Sequence, residues 1–379
     1  MKILLVGEYS RLHNSLKEGL LALGHEVMLV STGDDFKTFP SDILLERKYE
    51  SGLSKKVKVL LYRLFGLDIS SHSLKNQFFQ QQEKFKNFDI VQLINESSFG
   101  ILPKCEKEII SFLKQNNKKL FLLSCGTDYT SVKYAFDKKF RYSIFTPFFE
   151  GKISQKDFFP ALKYLKPNYK DLHDFVFENV DGIIASDLDY NIPLQGKEKY
   201  LGLIANPVNT QKLKFKPFAY EGKIIIFHGI NRANYFKKGN DYFEAALEKV
   251  RKKYSSKIEV ISVENIPYSE YIEKYNLAHI LLDQVFAYDQ GYNALEAMAK
   301  GKVVFTGAET EFLERYNLKE GEVCINALPN VDYLFEKLEN LILNPEKIEC
   351  IGKNARSFIE REHDYISIAR KYLKFWDQG

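Results

Sequence analysis

Cysteine is scarce in this 379-residue chain, and the four present, Cys105, Cys125, Cys324 and Cys350, are widely scattered. They are too few for a disulfide framework and lack the paired spacing of a metal site, so reduced, cytoplasmic thiols are the simplest expectation. No stretch comes near the ~18 uninterrupted apolar residues that a membrane-spanning helix requires. The opening MKILLVGEYSRLHN has an apolar run of only a few residues and no small-residue cleavage site, which reads as a first strand rather than a secretory leader. An excess of charge of one sign is also missing. With 54 basic and 50 acidic residues the net charge is +4, and nothing global favours wrapping a nucleic-acid backbone. Solenoid repeats and low-complexity segments are lacking too. What remains is the composition of a globular protein, 45% hydrophobic and 27% charged, with a length that favours two domains.

The apolar run of residues 2–6 ends at Gly7, helical spacing follows from Ser15 to Leu23, Gly24 closes it, and a second apolar run covers Glu26 to Val30. That is a βαβ unit, which implies a parallel sheet. The alternation continues through DIVQLI (89–94), a helix around Cys105 to Gln115, KLFLLS (119–124), and GIIAS (182–186) after a helix ending near Asn179. A long excursion at 131–170, rich in Phe, Tyr and Lys and punctuated by Pro147 and Pro160, interrupts it; such excursions in compact domains are often functional. Near Asn206 to Asn209 the pattern resets. KIIIFHG (223–229), KIEVISV (257–263), HILLDQ (279–284) and KVVFTG (302–307) then read as the strands of a second α/β series, and helical spacing from Val331 to Lys371 finishes it.

Ligands of such sheets gather at the carboxyl ends of the strands. After HILLDQ comes a polar loop and a helix beginning near Asn293, whose first amides, Gly291 to Ala294, form an anion site. Glu296, on the same first turns, is suited to accept two hydrogen bonds from a vicinal diol such as a ribose; the plain alternative is a solvated helix residue. After KIIIFHG, Arg232 and Lys238 flank a loop that ends in Gly239. Two cations beside helix-end amides suit an anionic ligand. A three-glycine dinucleotide fingerprint is absent after the first strand, where Gly7, Glu8 and Tyr9 stand instead.

The segment LEAMAKGKVV (295–304) resembles the carboxyl-terminal signature of the family-4 retaining glycosyltransferases of the GT-B fold, and DQ (283–284), then GY (291–292), then LEAMA-x-GK resembles a bacterial branch of it. The resemblance implies an α/β molecule of two Rossmann-like domains with parallel sheets facing across a cleft. Expected boundaries are 1–207 for an acceptor-side domain, 208–360 for a nucleotide-sugar domain, and 361–379 for a helix returning to domain one. It implies transfer of a sugar from a nucleotide diphosphate sugar to an acceptor hydroxyl with retention, without cofactor or metal, in bacterial surface glycan assembly. Arg232 and Lys238 then grip the diphosphate and Glu296 the ribose, while Gly7, Gly291, Tyr292 and Asn293 face the phosphates or sugar and Asn265, Ile266 and Pro267 the base. Tyr288, followed by Asp289, stands where the wider family has a first glutamate that contacts the donor sugar. Glu8, Tyr9 and Asp128 face the acceptor, with helix capping as the alternative for Asp128.

Two other readings stay open, a GT-B sugar-nucleotide 2-epimerase and a catalytically silent nucleotide-sugar-binding assembly protein. Residues 54–67, SKKVKVLLYRLFGL, place Val57, Leu60, Leu61 and Leu64 on one helical face, Lys55, Lys58 and Tyr62 opposite, and Lys56 and Arg63 on the flanks. Such a helix either packs on its own core or lies on an anionic membrane, which would suit a lipid-linked glycan acceptor and a peripheral place on the inner face of the cell membrane.

Overall fold

The computed structural model describes residues 1–33 and 39–378. Seven strands form the first sheet: β1 (Lys2–Val6), β2 (Glu26–Ser31), β3 (Ile43–Leu44), β4 (Ile90–Leu93), β5 (Lys119–Ser124), β6 (Gly182–Ala185) and β7 (Tyr200–Leu203). Their order is 3-2-1-4-5-6-7 and every pairing is parallel. The second sheet holds β8 (Ile224–Ile230), β9 (Ile258–Glu264), β10 (Ile280–Leu282), β11 (Val303–Thr306) and β12 (Ile325–Asn326) in the order 12-11-10-8-9, again all parallel. The central strands are mostly apolar and buried, as helix-covered parallel strands must be. The expected pair of Rossmann-like domains is therefore present.

Each sheet has one place where the strand order reverses, between β1 and β4 in the first and between β8 and β10 in the second. Crevices open there because the connections on either side run to opposite faces, and the loops that end those strands line them. Gly7 ends β1 with a φ of 85°, and a Cβ there would stand 2.7 Å from the carbonyl oxygen of Ser98. Glycine is required on both counts. His13 fixes this turn: its Nδ1–H donates to the Gly7 carbonyl over 2.8 Å, and burial lowers its pKa to about 4, so the ring is neutral.

The helical span read from Val331 to Lys371 is three helices, Val331–Leu343, Pro345–Glu362 and Tyr365–Gln378, broken by Pro345 and by His363–Asp364. The last returns to the first domain and packs against the helix Leu12–Ala22, where Ile368, Ala369, Tyr372 and Trp376 join the core of β1, β4 and β5. Trp376 Nε1 donates to the buried Gln92 of β4. The outgoing strand-to-strand link passes beside this return. Val208 N donates to the His363 carbonyl at 2.7 Å, Tyr365 N donates to the Val208 carbonyl, and His363 Nδ1–H donates to the Asn206 carbonyl. His363, like His13, is buried and neutral, its pKa lowered to about 4. Among the described residues no helix is long and apolar enough to cross a membrane.

Gly19 is where the returning helix touches most closely, since a Cβ there would meet the Tyr365 carbonyl oxygen at 2.2 Å. Gly19→Val should destabilise the protein by about 1–3 kcal/mol, the usual cost of overpacking. Leu21→Ala, on the exposed side of the same helix, should leave the unfolding temperature nearly unchanged. Equal melting of both variants would show that the returning helix is not held at this contact.

Candidate functional site

A cavity of about 700 Å³ between the domains lies outside the carboxyl ends of β8, β9 and β10. Its floor is built around Asp283, the first residue after β10. That carboxylate is buried, and three elements bring it donors: Lys238 Nζ at 3.1 Å from the loop after β8, Asn293 Nδ2 at 3.2 Å from the helix Tyr292–Ala299, and Thr306 Oγ1 at 3.4 Å from the end of β11. Burying a carboxylate is costly unless it is paired, so Asp283 ties the four elements into one floor. Lys238 is one-third exposed and so faces both Asp283 and the cavity.

Gly239 shapes the loop that delivers the lysine. Its φ is 71° and a Cβ would stand 2.6 Å from Val285 Cβ, while Val285 N donates to the Lys238 carbonyl. Gly291 begins the helix Tyr292–Ala299 in an extended conformation, and the amides beyond it are the orphan donors of a helix start. Asn293 is steadied by Tyr275, whose hydroxyl donates to its carbonyl at 3.1 Å. Asn265 has a φ of 53° and lines the cavity with Ile266, while Pro267 opens the helix Tyr268–Leu277 behind them. The structure thus gathers Lys238, Asn265, Ile266, Gly291, Tyr292 and Asn293 around one space, with Ser10 of the first domain opposite.

Other expected residues lie elsewhere. Arg232 is exposed beside the mouth, where its Nε donates to Glu264 at 2.7 Å. Glu296 is one turn beyond Tyr292 in a narrow gap of about 10 Å³, shared with Arg11, Ser15, Asn209 and Lys212. Tyr288 is buried against the first-domain excursion: its hydroxyl accepts from Arg141 N at 2.9 Å and its ring packs on Phe140 and Tyr142. Its ring and its hydroxyl thus both take part in docking the two domains. Asp289 likewise accepts from Leu188 N at 2.9 Å across the domain boundary, and Tyr292 donates to the Pro207 carbonyl.

A second cavity of about 380 Å³ continues into the first domain, lined by Tyr9, Ser10, Cys125, Gly126, Thr127 and Tyr164 among others. It shares Ser10, Gly291 and Tyr292 with the first. Tyr9 lies on it, but Glu8 does not. Glu8 is buried and accepts from both the backbone and the side-chain nitrogen of Asn14, bracing the turn. Asp128 is a helix cap. One oxygen accepts from Ser131 N at 2.7 Å and the other from the Ser124 hydroxyl, so the capping alternative describes it. Gly7 sits behind the turn against Ser98.

Three carboxylates that sequence reasoning did not group, Asp187, Asp189 and Asp289, stand within 4.8 Å of one another beside a third cavity of about 230 Å³. Asp189 accepts from Tyr288 N and Asp289 from Leu188 N, a reciprocal clasp between the domains. The spacing is one a divalent cation could bridge, but two of the three carboxylates already carry structural N–H bonds. Burial raises all three pKa values, Asp189 to about 7 and the others well above the carboxylate range, where the charge of Asp289 adds for Asp187 and that of Asp189 for Asp289.

Residues 237–374 match the family described as glycosyl transferase-like. None of the curated proteins matches the chain in sequence. Among solved structures, sucrose-phosphate synthase from Thermosynechococcus elongatus superposes with a TM-score of 0.63 at 15% identity, covering 100% of this chain and 99% of that one. HepE from Anabaena in complex with UDP and glucose superposes at 0.58 with 11% identity over 100% of both chains. UDP-GlcNAc 2-epimerase from Neisseria meningitidis bound to UDP-GlcNAc superposes at 0.54 with 14% identity, again over both whole chains. The fold of this chain is GT-B.

The carboxylate clasp has a definite pH sign. Its folded pKa values are raised, so its contribution to stability is complete below the ordinary aspartate pKa of ~3.9 and is lost as pH rises through about 7, where like charges accumulate. Asp187→Asn, which keeps the shape and cannot ionise, should raise stability at pH 8 and change little at pH 3.5, below the unfolded pKa. An equal effect at both pH values in thermal melts would dissociate these groups.

Proposed function

We propose that this chain is a glycosyltransferase that binds a nucleotide diphosphate sugar in the cleft above Asp283 and moves the sugar to an acceptor hydroxyl held in the adjoining first-domain cavity. The observation that carries the reading is the convergence of Lys238, the Gly291–Asn293 helix start and Asn265–Ile266 on one cavity at the switch point of the second sheet, facing Ser10. A diphosphate seated there would have an ammonium and orphan amides for its charge, and the loop after β9 for its base. The match of residues 237–374 to a glycosyl transferase-like family supports it, as do GT-B neighbours holding UDP. The domains are taken as 1–207 and 208–360, with 361–379 returning.

In the proposed mechanism the bond from the anomeric carbon to the β-phosphate oxygen breaks, and the charge that develops on that oxygen is met by Lys238 and the helix-start amides without a metal ion. Arg232 swings from Glu264, its exposed partner at the cavity mouth, to the diphosphate. The acceptor oxygen attacks from the face the phosphate leaves, so configuration is retained, and the departing phosphate takes its proton. Closing the domains over the donor excludes water that would otherwise consume it. The proposed setting is bacterial surface glycan assembly.

Lys238→Met keeps the stem of the side chain and removes its charge. UDP should raise the unfolding temperature of the native protein and fail to do so for this variant. Transfer should fall by about a hundredfold or more, the scale of losing one transition-state charge contact. A folded Lys238→Met protein with the native UDP response would place the diphosphate elsewhere, and sugar epimerisation without any acceptor would replace transfer by the 2-epimerase reading.

Glu296 is assigned to the ribose, which it would reach from its gap beside Tyr292. Glu296→Gln should weaken UDP by about 1.5–3 kcal/mol, the range for hydrogen bonds to charged groups, and leave a 2′,3′-dideoxy nucleotide unaffected in calorimetric titration. Equal weakening of both nucleotides would move Glu296 from the ribose to the domain junction with Arg11 and Lys212.

A further inference from the structure

The helix Gly52–Phe65 buries none of its residues. Leu53, Leu60, Leu64 and Phe65 are 76%, 55%, 64% and 73% exposed. Leu53, Val57, Leu60 and Leu64 follow one another at helical spacing and form a single apolar line. A helix docked on its own core would turn that line inward. Here the half-buried positions are Lys58 and Leu61, with the Lys58 ammonium bonded to Glu50 and 4.0 Å from Asp68.

Lys56 and Arg63 border the apolar line, Lys55 lies further round, and the helix contains no acidic residue. Among the described residues none of these three cations has an ion-pair partner. A second copy of the chain would bring these cations against their own kind, which repels. An anionic lipid surface suits all the features together, because its acyl boundary accepts the leucines while its headgroups meet the flanking charges.

The helix also stands close to the acceptor side. Burial and then the neighbouring Tyr62 push the Tyr169 hydroxyl up to about 12. The Tyr169 ring lies 5.2 Å from that of Tyr164, which lines the first-domain cavity. The geometry points to the helix Gly52–Phe65 as a dock for an anionic membrane surface, from which a lipid-linked acceptor enters the first-domain cavity. The acceptor clause rests on the transferase reading; the docking clause does not.

Flotation with vesicles of phosphatidylglycerol or of phosphatidylcholine, with no sugar nucleotide present, tests docking independently of transfer. The native protein should bind the anionic vesicles and leave the neutral ones, and added salt should weaken the binding. Lys55→Gln/Lys56→Gln/Arg63→Gln should weaken it by roughly tenfold or more, given the contribution of each basic residue near such a surface. Leu60→Gln/Leu64→Gln should abolish it. Both variants should melt like the native protein, since the helix buries nothing. Failure of the native protein to bind, or equal binding to both vesicle types, overturns the inference. So does a native dimer that Leu60→Gln/Leu64→Gln converts to monomer, because the apolar line would then be a self-contact.

Discussion

One buried charge organises the second domain. Asp283 emerges from β10 into a buried place, where a carboxyl group needs donors from several directions. Lys238, Asn293 and Thr306 supply them from three separate connections. Their positions are therefore correlated: the loop that carries the ammonium, the start of the helix and the end of β11 form a single rigid floor. The ammonium, held 3.1 Å from the carboxylate, is fixed in orientation at the edge of the cleft.

The segment from Asp283 to Asn293 serves two purposes at once. Asp283, Gln284, Gly291 and Asn293 border the cleft, whereas Tyr288 and Asp289 are committed to the first domain and Tyr292 touches both. A loop that lines the cleft and also grips the opposite domain couples the shape of that cleft to domain contact. Tyr288 and Asp289 are thereby parts of the junction, with Arg141 extending it through ion pairs to Glu309 and Glu311.

The long apolar strands and their glycine stops were legible because buried parallel strands need continuous hydrophobic runs; KLFLLS is β5 to the residue. The edge strands Ile43–Leu44 and Ile325–Asn326 were not, since two residues carry no period. The helix Ile69–Gln80 also escaped, because serines stand at buried positions where a core face would show apolar residues. In the site, Lys238 and the Gly291–Asn293 turn were visible as motif residues after strands. Asp283 was visible only as part of a DQ pair, and its burial depends on β8 and β11, which lie far from it in the chain. The Asp187–Asp189–Asp289 group joins residues about a hundred positions apart through domain contact alone, so no local spacing announces it.

The two chain crossings between the domains run side by side, pinned by Val208 to His363 and Tyr365 and by His363 to Asn206. Two parallel strips of backbone held by three hydrogen bonds define an axle. Displacements then grow with distance from it, so groups near the axle, such as Tyr292 on Pro207, shift little during any rotation. The carboxylate clasp and the Arg141 contacts, which hold the domains through side chains and loops rather than through the chain itself, can separate without unpinning the crossings. A small turn at the pin would thus become a wide gape at the excursion, and the energy needed to start it would be set at the rim rather than at the axle.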